Sequence, residues 1–292
     1  MKLKEALKMK IGIIGLGRMG RGIAKNLVNK GYDVEGYDVD PTSYKILSNL
    51  KSFKPLNSIS ESKDSDFILL LLPTGKEVIE ALKELVNYKG IIIDMTTMGY
   101  DELNDVINFI NNNGLNYISA KIERGPSDAE AGRLIFYVGG RKDLVDKSDK
   151  LFKDMGEYIY LGSNENANII KLISTLLLTA NTVLLAEVSQ IADKLRIDKD
   201  LLVKALSMGG ADSIQLRSRF PMMINNSYKE IFSVKLSKYV AEKTLEYIND
   251  YGVTYSPLLK YVSDILKLSD ALGIGNKDIA EISEFYKKIN SS

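Results

Sequence analysis

The stretch KIGIIGLGRMGRGIAKNLVNKGYDVEGYD, residues 10–38, decides how the first half of this chain folds. It opens as an apolar strand running to Ile14, breaks at Gly15-Leu16-Gly17-Arg18-Met19-Gly20, and resumes from Met19 to Lys30 with apolar residues at helical spacing. A second β-rich run ends at Tyr37. Strand, glycine turn, helix and strand make one βαβ unit. The glycines have the G-x-G-x-x-G spacing: the first permits a tight turn, the second lets backbone approach a pyrophosphate, and the third packs helix on strand. The helix N-terminus then faces the negative charge. Spacing alone is a weak signal, and its place between strand and helix strengthens it, as does Asp38 at the end of the second strand. A carboxylate there accepts hydrogen bonds from an adenosine ribose diol and repels a 2′-phosphate, so NAD is expected over NADP. A bare turn capped by Asp38 and a flavin site are the competing readings.

Further β-rich or apolar runs follow at DFILLLLP (66–73), GIIIDMT (90–96), NYISAKI (116–122) and LIFYVGG (134–140), separated by amphipathic segments such as GKEVIEALKELVN (75–87). This alternation predicts an α/β fold with a doubly wound parallel sheet. After Gly162 the pattern becomes helical only, punctuated by Gly or Pro at SMGGADS, RFPMM and YSPLL. The expected organisation is a Rossmann domain over 1–163 and an all-helical domain over 164–292, the latter beginning with a long interdomain helix.

Composition excludes several chemistries. The chain has 292 residues, 45% of them hydrophobic, and a formal net charge of +1, so it can bury a sizeable core and has no net field drawing it to nucleic acid or an anionic membrane. It has no cysteine and no histidine. Thiol catalysis, Ser-His-Asp catalysis and Cys or His metal sites are therefore excluded, and acid-base work falls to Lys, Asp, Glu or Tyr. The segment MKLKEALK is basic but lacks the apolar core of a secretory signal, which points to the cytoplasm; it reads as an extension without function.

The run NANIIKLISTLLLTANTVLL, residues 166–185, is apolar except for a stripe that includes Lys171. On a helix, Asn164, Asn168, Lys171, Thr175, Thr179, Thr182, Ala186 and Ser189 recur every three or four residues. The expectation is a helix buried on its Ile, Leu and Val side, with this stripe lining a wet cleft where a partly desolvated ammonium can transfer protons. A lysine that packs its stem and sends its charge to water is the alternative.

Taken together, GLGRMGRGIAKNL (15–27), LLPTGKEV (71–78), IDMTT (93–97), GPSDAEAGRLIFYVGG (125–140), the lysine of IIKLISTLLL and the tail GIGNKD (273–278) resemble the β-hydroxyacid dehydrogenase family. The resemblance implies a Rossmann domain joined to a helical domain, homodimers or homotetramers, and a small anionic hydroxy acid as substrate. It also implies that Leu72, Pro73, Thr74 and Val78 lie beside the cofactor, Thr97 near the nicotinamide, and Lys171 in the acid-base role.

The departures from the family pattern fall on the substrate side. Where relatives read D-A-P-V-S-G-G-P, with serine and glycines holding a carboxylate, this chain has Ser119-Ala120-Lys121-Ile122-Glu123-Arg124-Gly125-Pro126. Arg124 is expected either to grip an anion, with Glu123 pairing it or contacting substrate, or to be solvated along with Glu123. Ser174 and Thr175 replace two asparagines after the lysine, and Tyr239, with Lys238 adjacent, takes the place of a second lysine. The alternatives are an NAD-dependent 6-phosphogluconate dehydrogenase, disfavoured because IDMTTMG lacks the G-G-N found at that place in those enzymes, and a non-catalytic NAD(H)-binding sensor or scaffold.

Overall fold

The computed structural model describes residues 8–291, so the expected N-terminal extension lies almost wholly outside the described residues. The first unit runs β1 (Lys10–Ile14), α1 (Arg18–Asn29), β2 (Asp33–Tyr37), β3 (Phe53–Pro55), β4 (Phe67–Leu70), α2 (Gly75–Glu84), β5 (Ile91–Asp94), α3 (Tyr100–Asn113), β6 (Tyr117–Glu123), α4 (Pro126–Glu130), β7 (Leu134–Gly140), α5 (Lys142–Met155) and β8 (Gly156–Tyr160). These strands form one sheet in the order β3-β2-β1-β4-β5-β6-β7-β8. The winding reverses between β1 and β4, and in such sheets ligands bind outside the carboxyl ends of the strands at that reversal.

β4 and β5 are buried at every position, the pattern of parallel strands covered on both faces. One face carries a core that includes Ile11, Ile13, Ile23, Leu27, Phe136 and Phe152. The other carries Ile14, Ile68, Leu70, Val78, Leu82 and Leu103. Two strands exceed the sequence expectation, β3 and β8, both short and at the sheet edges. The sheet is parallel and doubly wound as expected except at one pair, since β6 and β7 are antiparallel. Residues 124–133, which join them, are too few for the crossover that a parallel return requires.

The helix α6 (Asn164–Leu195) leads into α7 (Lys199–Ser207), α8 (Ile214–Ser218), α9 (Phe220–Ile224), α10 (Val234–Asp250), α11 (Pro257–Ser269) and α12 (Ile282–Ser291). The chain divides into two compact units, Met1–Lys171 and Leu172–Ser292, so the division falls inside α6 and not at its start near residue 163. Its first two turns belong to the sheet unit for a local reason. Ser119 N donates to Asn164 Oδ1 at 2.8 Å, and Asn168 Nδ2 donates to the Met98 carbonyl at 2.8 Å.

The helical unit corrects the expectation for the polar stripe of α6. Thr175, Thr179, Thr182, Ala186 and Ser189 are at most 4% exposed, whereas Leu177, Leu184, Ile191 and Leu195 are more than half exposed. Two of the hydroxyls bond within the helix: Thr182 Oγ1 donates to Leu178 O at 2.8 Å and Ser189 Oγ to Ala186 O at 2.7 Å. Small, buried side chains let neighbours pack closely, so this stretch is a packing face and not a wet one. By length and composition alone α6 is long and apolar enough to cross a membrane. Leu176 and Val183 instead join Leu216, Phe220, Met223, Leu266 and Ile279 in the core of the helical unit.

Candidate active site

Three loops at the carboxyl edge of the sheet, after β1, β4 and β5, carry most of the candidate residues of the first unit. In the first, the three glycines do different work. Gly15 has φ +98°, and a Cβ there would lie 2.2 Å from the Leu71 carbonyl. A Cβ on Gly20 would lie 2.0 Å from the Gly15 carbonyl, whereas Gly17 faces open space. Gly17 also caps α1 with no side-chain hydrogen bond, and the first-turn amides of a helix have no carbonyl of their own to bond. That combination fits a pyrophosphate. Leu16 is buried, Met19 half-buried and Arg18 exposed as the first residue of α1.

Asp38 follows β2 and is tied to the same turn. Its Oδ2 accepts from Leu16 N at 2.6 Å and its Oδ1 from Asp40 N at 2.8 Å. A carboxylate has about four acceptor positions, so each oxygen keeps one for a ribose diol. The carboxylate is thus fixed before any ligand arrives.

The second loop follows β4. Leu72 N donates to Thr96 Oγ1 at 3.2 Å, Pro73 is exposed, and Thr74 caps α2 by accepting from Lys76 N at 3.2 Å. The Thr74 hydroxyl also bonds Glu77 and holds its carboxyl below the ordinary value. Val78, expected beside the cofactor, has no exposed surface and belongs to the core with Leu70, Ala81 and Leu82. It presents nothing to a ligand in this structure, because one turn into α2 the chain already points inward.

The third loop follows β5 and is held at both ends. Asp94 Oδ1 accepts from Thr96 N at 3.0 Å, and Asp94 Oδ2 accepts from Tyr117 Oη at 2.8 Å and Lys121 Nζ at 2.6 Å. Lys121 Nζ also donates to the Thr96 carbonyl. At the far end Asn168 holds Met98. Thr97 lies between these clamps, half-buried. Lys121 has no exposed surface, and burial lowers its pKa while Asp94 opposes that shift. Burial, and then the Asp94 charge, pushes the Tyr117 phenol well up.

Sequence reasoning passed over Lys121 and Asp94. The signal was available in strand period: Tyr117, Ser119 and Lys121 share one face of β6, and Asp94 ends the neighbouring strand.

β6 ends at Glu123, whose Oε1 is 3.1 Å from Lys171 Nζ; the two side chains are 21% and 17% exposed. The expectation that Glu123 pairs Arg124 is thereby corrected. Arg124 is exposed, and its Nη1 donates to the Arg133 carbonyl at 2.6 Å. It also sits at φ +76°, a left-handed conformation that a non-glycine residue adopts at a cost. Gly125 then caps α4. Lys171 follows Asn168 by one helical turn, so the residue that clamps Met98 also sets where the ammonium stands.

The other expected residues belong to the helical unit. Thr175 is buried one turn past Lys171 along α6. Lys238, on α10, pairs with Asp270, whose hydrogen bond is the main cause that raises its pKa. Tyr239 beside it is half-buried.

Residues 10–163 match the family described as the NAD binding domain of 6-phosphogluconate dehydrogenase. This is more than half of the chain and takes in all three loops. The protein belongs to the 6-phosphogluconate dehydrogenase-like β-hydroxyacid dehydrogenase family. As a β-hydroxyacid dehydrogenase it is an NAD(P)-dependent oxidoreductase acting on a CH–OH group. The human mitochondrial 3-hydroxyisobutyrate dehydrogenase is 27% identical over 300 residues, covering 97% of this chain and 88% of the human one. The 3-sulfolactaldehyde reductase of Escherichia coli K12 is 25% identical over 282 residues and covers 94% of each. Among solved structures, the Mycobacterium tuberculosis 3-hydroxyisobutyrate dehydrogenase with L-serine superposes with a TM-score of 0.86 at 22% identity, covering 96% of this β-hydroxyacid dehydrogenase and 99% of that chain.

Proposed function

We propose that this protein interconverts a small 3-hydroxy acid and its semialdehyde or keto form, with NAD(H) as cofactor and Lys171 as the acid-base group. The observation that carries the reading is the partly exposed ammonium of Lys171 at the carboxyl end of β6, 3.1 Å from Glu123 and one turn beyond the residue that clamps the Thr97 loop. Asp38, fixed by two backbone amides, supports NAD over NADP, since a 2′-phosphate would meet a carboxylate already held in place.

The bound nicotinamide supplies or accepts the hydride. The residues of this chain do the rest. In reduction Lys171 gives a proton to the substrate oxygen as that oxygen gains negative charge, and in oxidation it takes the proton back. Glu123 holds the ammonium in one place through their ion pair. Gly125 leaves backbone accessible beside it, and Thr97, Lys238 and Tyr239 are the remaining candidates for substrate contact, whereas Thr175 is buried on the packing face of α6.

The test is turnover of a panel of 3-hydroxy acids, semialdehydes and 6-phosphogluconate with NAD and NADP, followed at the NADH absorbance. Turnover of a 3-hydroxy acid or its semialdehyde is expected. Turnover of 6-phosphogluconate alone would overturn the substrate class, and tight NADH binding with no turnover of any compound would favour a sensor.

A further inference from the structure

The most enclosed charge in the sheet unit takes no part in that proton transfer. Among the described residues Lys121 is one of the largest side chains with no exposed surface, and its ammonium is committed to Asp94 and to the Thr96 carbonyl. Apolar residues of the same size can often replace such a pair without loss of stability. A buried lysine on β6 therefore calls for an explanation in what it holds. It holds the loop after β5. Thr96 is fixed by its carbonyl to Lys121, by its amide to Asp94 at 3.0 Å and by its hydroxyl to Leu72 N at 3.2 Å. Two loops are thereby locked to each other, the one after β4 and the one after β5.

The order of the sheet says which part of a dinucleotide these loops serve. Asp38 follows β2, on one side of the reversal between β1 and β4, and marks the adenosine half. The loops after β4 and β5 lie on the other side, with the second mononucleotide.

We propose that Lys121 is a positioning residue for the nicotinamide half of the cofactor: through Asp94 and the Thr96 carbonyl it sets the backbone of residues 95–97, while the adenosine half is bound independently. The proposal rests on the dinucleotide reading of the cleft. Lys121 touches no ligand itself and acts through Thr96 and Thr97.

ADP-ribose, which keeps everything in the cofactor but the nicotinamide ring, separates that ring's contribution from the rest. In the full-length protein, affinities for NADH and ADP-ribose are measured by titration calorimetry for wild type, Lys121→Met and the double variant Lys121→Met/Asp94→Asn. The single variant leaves Asp94 buried without its cation and is expected to lose thermal midpoint. The double variant removes both charges and regains most of it. In the double variant NADH affinity falls about tenfold, roughly 1.4 kcal/mol, while ADP-ribose affinity stays within twofold. Equal losses for both ligands, no loss for either, or a double variant that does not fold would each assign Lys121 to the scaffold alone and overturn the proposal. Wild-type protein that binds neither NADH nor ADP-ribose would instead refute the dinucleotide reading beneath it.

Discussion

Replacing Lys171 with methionine tests the proposed chemistry most directly, because methionine keeps much of the aliphatic stem and helix propensity while removing the ammonium. If Lys171 transfers the proton, kcat should fall by about 10²- to 10⁴-fold. The stability effect follows from the ion pair. Lys171 and Glu123 are 17% and 21% exposed, between the surface and buried regimes. Exposed pairs contribute about 1 kcal/mol or less, and breaking a fully buried pair costs about 3–5 kcal/mol. Glu123 keeps some contact with water, so the loss should be about 1–2 kcal/mol, or a fall of about 2–8 °C in thermal midpoint. Adding Glu123→Gln should recover most of the midpoint and none of the kcat. NADH affinity should stay within about twofold, because the glycine turn and Asp38 are untouched. The assays are steady-state turnover, NADH titration and thermal unfolding on all three proteins. A folded Lys171→Met enzyme with kcat within a few-fold of wild type would refute the acid-base role.

The cofactor preference should be at least about tenfold in kcat/KM for NAD, about 1.4 kcal/mol, and Asp38→Asn should narrow it; a preference for NADP would mean that this carboxylate does not face the ribose. Glu123→Ser should lower KM for a carboxylate substrate, since a competing anion leaves the Lys171 ammonium, and an unchanged KM would place the substrate carboxylate elsewhere. Arg124→Gly should relieve the left-handed strain at φ +76° by about 1–2 kcal/mol, partly offset by the lost hydrogen bond to Arg133 O, and a lower thermal midpoint would refute this. For Asp154, burial raises the carboxyl pKa, but hydrogen bonds from Lys150 and Tyr32 outweigh it and leave the value lowered. A depressed carboxyl stabilises the fold above the ordinary Asp range and loses that contribution as pH falls through the folded value, so Asp154→Asn should flatten the acid limb of a thermal-midpoint profile.

How far the sequence could be read depends on which residues carry a local signal. The βαβ unit at 10–38 was legible to within a residue, because Gly20 answers a steric demand set by the Gly15 carbonyl five positions earlier and Gly15 takes a left-handed φ of +98° that favours glycine, and both mark the turn in the local sequence. The antiparallel return at β7 was legible only in the length of the 124–133 connection, since the run LIFYVGG reads the same in either direction. The stripe on α6 was misread for a physical reason. Thr and Ser count as polar in a periodicity argument, yet in a helix their hydroxyls can bond the carbonyl of the preceding turn and leave only a small surface, so a Thr-Ser-Ala stripe packs as well as it solvates. Lys171 escapes that reinterpretation because an ammonium cannot be satisfied by its own helix in that way, and its partner Glu123 comes from the end of β6. The same reasoning separates Lys121 from Arg124, two cations three residues apart at the end of one strand. Strand period turns Lys121 inward, where it must find Asp94, and the chain leaves the strand before Arg124, which spends its guanidinium on a neighbouring carbonyl. A charge at a family's substrate loop is therefore informative only once its face of the strand is known, and here the inward charge is the one that ties the loops after β4 and β5 together.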